Sequence, residues 1–177
     1  GVVEEITVRQ DCTLIQTSRG ELMARLVVGA DGALSTMRKC LPLFQRSRSY
    51  QQSALVATVE SECRHNNIAL QSFMSTGPLG ILPLAHPNQE SIVYSCETAK
   101  AEELLSLSEQ EFNQKLGQAL QFRFGKMKLL NSLRSFPLIE RSMSQPFYQT
   151  AVLIGDAAKT IHPLAGQGAN SGLQDAI

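Results

Sequence analysis

An excess of charge of either sign is missing: sixteen basic and sixteen acidic side chains cancel within 177 residues. A balanced chain offers no basic stripe for nucleic acid or for an anionic lipid surface. No apolar run approaches the ~20 residues that a bilayer-spanning helix needs. The opening Gly1-Val-Val-Glu-Glu5 lacks the charged-then-apolar order of an export signal. The expectation is a cytoplasmic protein. Cysteine is scarce and scattered, with Cys12, Cys40, Cys63 and Cys96 forming no Cys-x-x-Cys pair. That excludes a zinc knuckle or redox dithiol signal and leaves four buried, reduced thiols as the expectation. His65, His86 and His162 show no metal-ligand spacing among themselves, so no metal site is expected. Internal repeats and low-complexity tracts are also absent.

The chain is 43% hydrophobic, enough to bury a real core in one domain or in one domain plus part of another. Three strands are expected at its start, Val2–Val8, Cys12–Thr17 and Leu22–Val28, with turns at Gln10-Asp11 and Ser18-Arg19-Gly20. The third runs into Gly29-Ala30-Asp31-Gly32, an acidic turn before a short helix. From Tyr50 the texture changes to period-two strands at Ala54–Glu60, Leu70–Met74, Leu79–Leu84 and Ser91–Glu97, which implies a separate antiparallel sheet. Ser108-Glu-Gln-Glu111 is a capping box opening a helix through about Gln121, with Phe112, Leu116, Ala119 and Leu120 on one face. One more strand is expected over Lys128–Leu138, and Ser142–Gln145 between Pro137 and Pro146 suits a crossing segment.

The most specific stretch is the last. Ala151–Ile154 reads as a buried strand ending on Gly155-Asp156, which places Asp156 at a strand's carboxyl end, where open α/β sheets bind ligands. A carboxylate there can accept hydrogen bonds from sugar or polyol hydroxyls. Gly166 and Gly168 then let the backbone approach a ligand, and free amides at the start of the next helix favour negative charge. Two readings of this stretch stay open, a cofactor grip and a plain strand-turn-helix joint. At Asp31-Gly32 the plain reading is a turn with an aspartate helix cap. The final helix has run about three turns from Gly166 when the sequence stops at Ile177, and no Gly-x-Gly-x-x-Gly finger occurs; a fragment of a longer protein is expected.

These residues resemble the flavin-dependent aromatic hydroxylases, most closely the ubiquinone-biosynthesis hydroxylases of polyprenylated phenols. Val27-Val28-Gly29-Ala30-Asp31-Gly32-x-x-Ser35-x-x-Arg38 is similar to their Asp-Gly motif. Gly155-Asp156-Ala157-Ala158, Pro163, Gly166-Gln167-Gly168, Asn170, Gly172 and Asp175-Ala176 match their Gly-Asp motif. The stretch Gly77–Leu84, with Phe136-Pro137-Leu138, is similar to their substrate-domain sheet. The resemblance implies an α/β fold with an α+β substrate sheet: part of a Rossmann-like FAD/NAD(P)-binding domain at 1–49, an antiparallel substrate domain at 50–145, and a return to the first domain at 146–177. It implies FAD as cofactor, with NADPH or NADH as reductant and O2 and an aromatic, prenylated molecule as substrates, by way of a C4a-hydroperoxyflavin. Asp156 would hold the ribityl chain, and the backbone of Leu164, Gly166, Gln167, Gly168, Ala169 and Asn170, with Gly155 and Pro163 beside it, would face the pyrimidine end of the flavin. Asp31, Gly32 and Arg38 match the segment that lies near the pyrophosphate and is implicated in nicotinamide use.

No catalytic acid-base pair or nucleophile is found, which suits chemistry carried by a cofactor. Lys159 stands where this group commonly has histidine. Residues 1–177 alone are expected to hold little or no FAD and to be inactive, because the pyrophosphate-binding finger is missing. Membrane-surface contact, peripheral to the inner membrane, or association with a biosynthetic complex would fall to parts outside these residues. Other FAD enzymes of the same fold, reductases or halogenases, are an alternative, the halogenases disfavoured by the absence of tryptophan. A non-catalytic interaction module is another. Leu55, Ile81, Leu82 and Ile92 could line a lipid-like pocket or simply pack a core.

Overall fold

Short apolar alternations build the opening sheet. The computed structural model, which describes residues 2–162 and 167–177, places β1 (Val3–Val8), β2 (Thr13–Thr17) and β3 (Gly20–Ala24) in an antiparallel meander. Ile6 pairs with Ile15 and Ile15 with Leu22. β4 (Val27–Gly29) leaves that sheet and is followed by α1 (Thr36–Cys40). The apolar segment expected as one strand over Leu22–Val28 is therefore two, broken at Arg25-Leu26. Its first half completes a hairpin and its second serves another sheet.

The chain divides into two units, Gly1–Arg48 with Ile139–Ile177, and Ser49–Leu138. It crosses between them inside β5 (Gln45–Ser61) and returns inside β10 (Arg134–Met143). The return falls at Ile139 because β10 runs on through the stretch expected to begin the crossing.

The second unit is an antiparallel sheet backed by helices. Its strand order is β10-β5-β8-β7-β6, with β6 (Leu70–Met74), β7 (Gly77–Pro83) and β8 (Gln89–Glu97), and with β9 (Met127–Leu129) paired to β5. Alternate residues Leu55, Ala57 and Val59, Leu79 and Ile81, and Ile92, Tyr94 and Cys96 bury one face against Ala101 and Leu104 of α2 (Thr98–Leu105) and Phe112 and Leu116 of α3 (Glu109–Ala119). Each large apolar side chain so buried contributes about 1.5–3 kcal/mol before entropy is counted. Leu55, Ile81 and Ile92 are thus core, whereas Leu82 is 47% exposed. The expected capping box is present: Ser108 Oγ accepts from the Glu111 N–H, and the Ser108 N–H donates to the Glu111 carboxylate.

In the first unit, β11 (Phe147–Tyr148), β12 (Ala151–Leu153) and β4 form a sheet in the order β11-β12-β4. β12 lies in the middle, antiparallel to β11 and parallel to β4, with Ala151 opposite Val27 and Leu153 opposite Gly29. Ala151 and Leu153 are buried with Met37, Leu41, Ala157 and Ala158. A 3-10 turn (Gly155–Ala157) follows β12, and α4 spans Gln167–Gln174, ending three residues short of Ile177. Of the four cysteines, which are all free, Cys96 alone is buried; Cys40 and Cys63 are exposed because they sit beyond the core-facing positions of their segments. No helix among the described residues is long and apolar enough to cross a membrane.

Candidate functional site

Two parallel strands, β4 and β12, end side by side, and each delivers an acidic turn and then a helix. This repeated arrangement builds the site. At the end of β4 the Asp31 carboxylate accepts hydrogen bonds from the Ser35 hydroxyl and from the main-chain N–H groups of Thr36 (2.7 Å) and Met37 (3.2 Å). Ser35 caps the same helix by accepting from the Arg38 N–H at 2.9 Å. Burial works to raise the Asp31 carboxyl pKa, but the hydrogen bonds from Ser35, Met37 and Thr36 outweigh it and hold the group below its ordinary value. Asp31 is thus occupied by the first turn of α1, whose N-cap is Ser35. Gly32, at φ +79°, has nothing within 4 Å of where a Cβ would stand.

Arg38 ties the two turns together. Its guanidinium is buried and donates to the carbonyls of Ala33 (2.6 Å), Ala157 (2.9 Å) and Asp156 (3.4 Å). Burial, followed by repulsion from Arg141, lowers its pKa from a very high ordinary value, so the cation is retained. Its donors are directed at main chain, which makes it a clamp between the Asp31 and Asp156 turns.

Asp156 presents the opposite case. Its side chain is exposed and makes no hydrogen bond or salt bridge among the described residues, although its carbonyl accepts from Arg38 and Thr160. Gly155 beside it adopts φ +59°, a left-handed conformation that glycine tolerates, and its N–H donates to the Asp175 carboxylate at 2.8 Å. A Cβ added to Gly168 in the first turn of α4 would stand 4.0 Å from Asp156 Oδ1. Ala169 and Asn170 are exposed on the same helix, whose first N–H groups lack intrahelical acceptors. Asn170 shares a shallow groove with Lys159, Ile161, Ser171 and Gln174. Pro163, Leu164 and Gly166 lie outside the described residues, as does the side chain of Gln167. Gly172 and Asp175 belong to the quoted motif but carry no role that the sequence assigns; the available signal is their spacing from Gly168, which puts Gly172 on the same face of α4 and Asp175 in line with both just past its end. Among the described residues no cluster of His, Cys, Asp and Glu could hold a metal.

A parallel strand pair ending in a carboxylate without a partner among the described residues, beside a helix that carries Gly168 in its first turn, defines a cofactor-binding α/β domain of the kind that seats a nucleotide cofactor at its strand ends. The chain belongs to the FAD binding domain family, whose model matches residues 5–177. It is 36% identical over 152 residues to the ubiquinone hydroxylase UbiL of Rhodospirillum rubrum, covering 86% of this chain and 35% of that protein. It is 33% identical over 166 residues to the 3-demethoxyubiquinol 3-hydroxylase of Escherichia coli K12, covering 93% and 42%. Similar folds occur in the flavin-dependent halogenase CmlS (TM-score 0.75, 15% identity, 98% of this chain and 34% of that one) and in p-nitrophenol 4-monooxygenase PnpA of Pseudomonas putida DLL-E4 (TM-score 0.73, 20% identity, 98% and 45%). The chain spans about two-fifths of the length of these two hydroxylases. The residues present fit FAD: a carboxylate without a partner among the described residues matches polyol hydroxyls, and the missing Cβ at Gly168 leaves room beside it.

Proposed function

We propose that residues 151–177 grip the ribityl and pyrimidine end of FAD within a monooxygenase that hydroxylates an aromatic ring. The observation that carries this reading is the exposed Asp156 carboxylate, without a protein partner among the described residues, at the carboxyl end of β12 and beside Gly168. Asp156 would accept hydrogen bonds from the cofactor's polyol. The amino end of α4 would favour negative charge on a ring system held there. Arg38, Asp31 and Gly32 hold the first acidic turn against the second, on the side assigned to the pyrophosphate and to NADPH or NADH. When bound, FAD supplies the redox and oxygen chemistry.

The names of the hydroxylase relatives support a ubiquinone precursor, a polyprenylated phenol, as substrate. Leu55, Ile81 and Ile92 are spent on the core, so substrate contact falls to the sheet face turned away from the helices. Val56, Val93 and Gly80 form one cross-strand row there, with Leu82 and Phe73 exposed on the same face. Small and apolar side chains of this sort suit a ring with a lipid tail. A tail of that kind brings the whole protein to a membrane surface, contacted by parts outside residues 1–177.

The test is full-length protein with NADPH, O2 and a set of polyprenylphenols, read by product mass. A gain of one oxygen atom, lost in Asp156→Ala, is expected. A halogenated product, or the same oxygenated product from the variant, contradicts the reading.

A further inference from the structure

We infer that Asp175 is a positioning residue that keeps the Asp156 carboxylate in register with the amino end of α4. This rests on the FAD reading of that site. Residues 168, 172 and 175 are spaced i, i+4 and i+7, so Gly168 and Gly172 share one face of α4 and Asp175, whose N–H donates to the Ser171 carbonyl just past the helix end, follows in line with them. Each meets the Gly155-Asp156 turn. Gly168 lies opposite the Asp156 carboxylate, with 4.0 Å between Oδ1 and the place of an added Cβ. Gly172 lies against the Gly155 main chain, where an added Cβ would come within 3.1 Å of the Gly155 Cα. Asp175 accepts the Gly155 N–H at 2.8 Å. The helix therefore rests on the turn through backbone-close contacts, and the carboxylate of Asp175 is its single polar anchor there among the described residues.

This contact has a direct geometric consequence. Gly155 sits at φ +59°, a conformation with no preference of its own to persist. A charge-assisted hydrogen bond on its N–H selects that conformation, and the direction of the next residue, Asp156, follows from it. Without the bond, Gly155 gains backbone freedom and the carboxylate and the helix amides no longer approach a ligand together. Asp175 touches neither ligand nor reacting atoms in this arrangement. It acts through Gly155.

The experiment compares full-length wild type, Asp175→Ala and Asp175→Asn by flavin-fluorescence titration of the apoprotein, alongside the absorption spectrum of the bound flavin and the melting temperature of the apoprotein. Asp175→Ala is expected to weaken FAD binding about tenfold, the order of one charge-assisted hydrogen bond, and to alter the bound spectrum. Asp175→Asn keeps an oxygen acceptor for the Gly155 N–H and is expected to restore affinity to within about threefold of wild type, as a neutral acceptor is weaker than a charged one. A wild-type affinity in Asp175→Ala overturns the inference and leaves the FAD reading standing. So does an Asn variant as weak as the Ala variant, which would mark a purely electrostatic or packing role. Failure of the wild type itself to take up FAD removes both.

Discussion

Glu90 links protonation to stability in the second unit. It is fully buried in β8; Ser61 Oγ donates to its Oε1 at 2.7 Å, and its Oε2 has no partner among the described residues. Ser61 carries one hydroxyl proton and also lies 2.8 Å from the Cys63 carbonyl. If Glu90 is protonated, it donates to Ser61 and Ser61 donates to Cys63, so neither acceptor is left wanting. Burial raises the Glu90 pKa, opposed by the Ser61 hydrogen bond and by His65. A raised carboxyl pKa means that the unfolded chain ionises first. The contribution is therefore full below the ordinary value of 4.5 and is lost as pH climbs from there toward the folded value. Urea unfolding across that window should show stability falling with pH in the wild type and a flatter profile in Glu90→Gln; identical slopes would refute the assignment. Arg38→Met should cost about 3 kcal/mol, because buried carbonyls lose their donor, measured by the same method. A loss within ~0.5 kcal/mol, the range of ordinary surface changes, would show that the clamp is dispensable.

At the scale of elements, Gly77 is the most constrained position. It sits at φ +124° where β7 begins, and a Cβ there would collide with the Ser95 carbonyl oxygen. Gly77→Ala should destabilise the β6–β7 hairpin by about 3 kcal/mol or more, from strain plus displaced backbone, and hydrogen exchange in Leu70–Pro83 should speed up. Unchanged protection would contradict this. The elements legible from sequence were those with strong local signals: the alternation in β6 and β8, the Ser108 capping box, and the apolar β12 ending on Gly155. Others carried no such signal. α2 has Glu97 as a cap without a side-chain hydrogen bond and buries Ala101 and Leu104, too few for a stripe. The first part of β5, Gln45–Gln52, is polar and largely exposed, so period-two hydrophobicity begins only near Ser53. The single expected strand over Lys128–Leu138 is split into β9 and β10, because after Leu130 the Asn131 side chain, in place of main chain, accepts the Thr58 N–H of β5 and the ladder stops. In the site, the positions of Asp156 and Gly168 followed from the motif. The engagement of Arg38 with main-chain carbonyls and of Asp175 with Gly155 did not, since hydrogen bonds across 118 to 119 and 20 residues leave no mark on local pattern.

For the molecule as a whole, one unit carries the acidic turns and the other a helix-backed antiparallel sheet. The first is built from chain segments about ninety residues apart, brought together where β4 and β12 pair in parallel. Asp31, Arg38 and Asp156 have a common neighbourhood only through that pairing. Asp156 is the group proposed to hold FAD. The most direct test of that role is the FAD dissociation constant of the full-length protein beside that of Asp156→Ala, with circular dichroism verifying that both apoproteins are folded. A weakening of about ten- to a hundredfold is predicted, the order of one or two hydrogen bonds to a charged acceptor. Equal affinities in two folded proteins would contradict it.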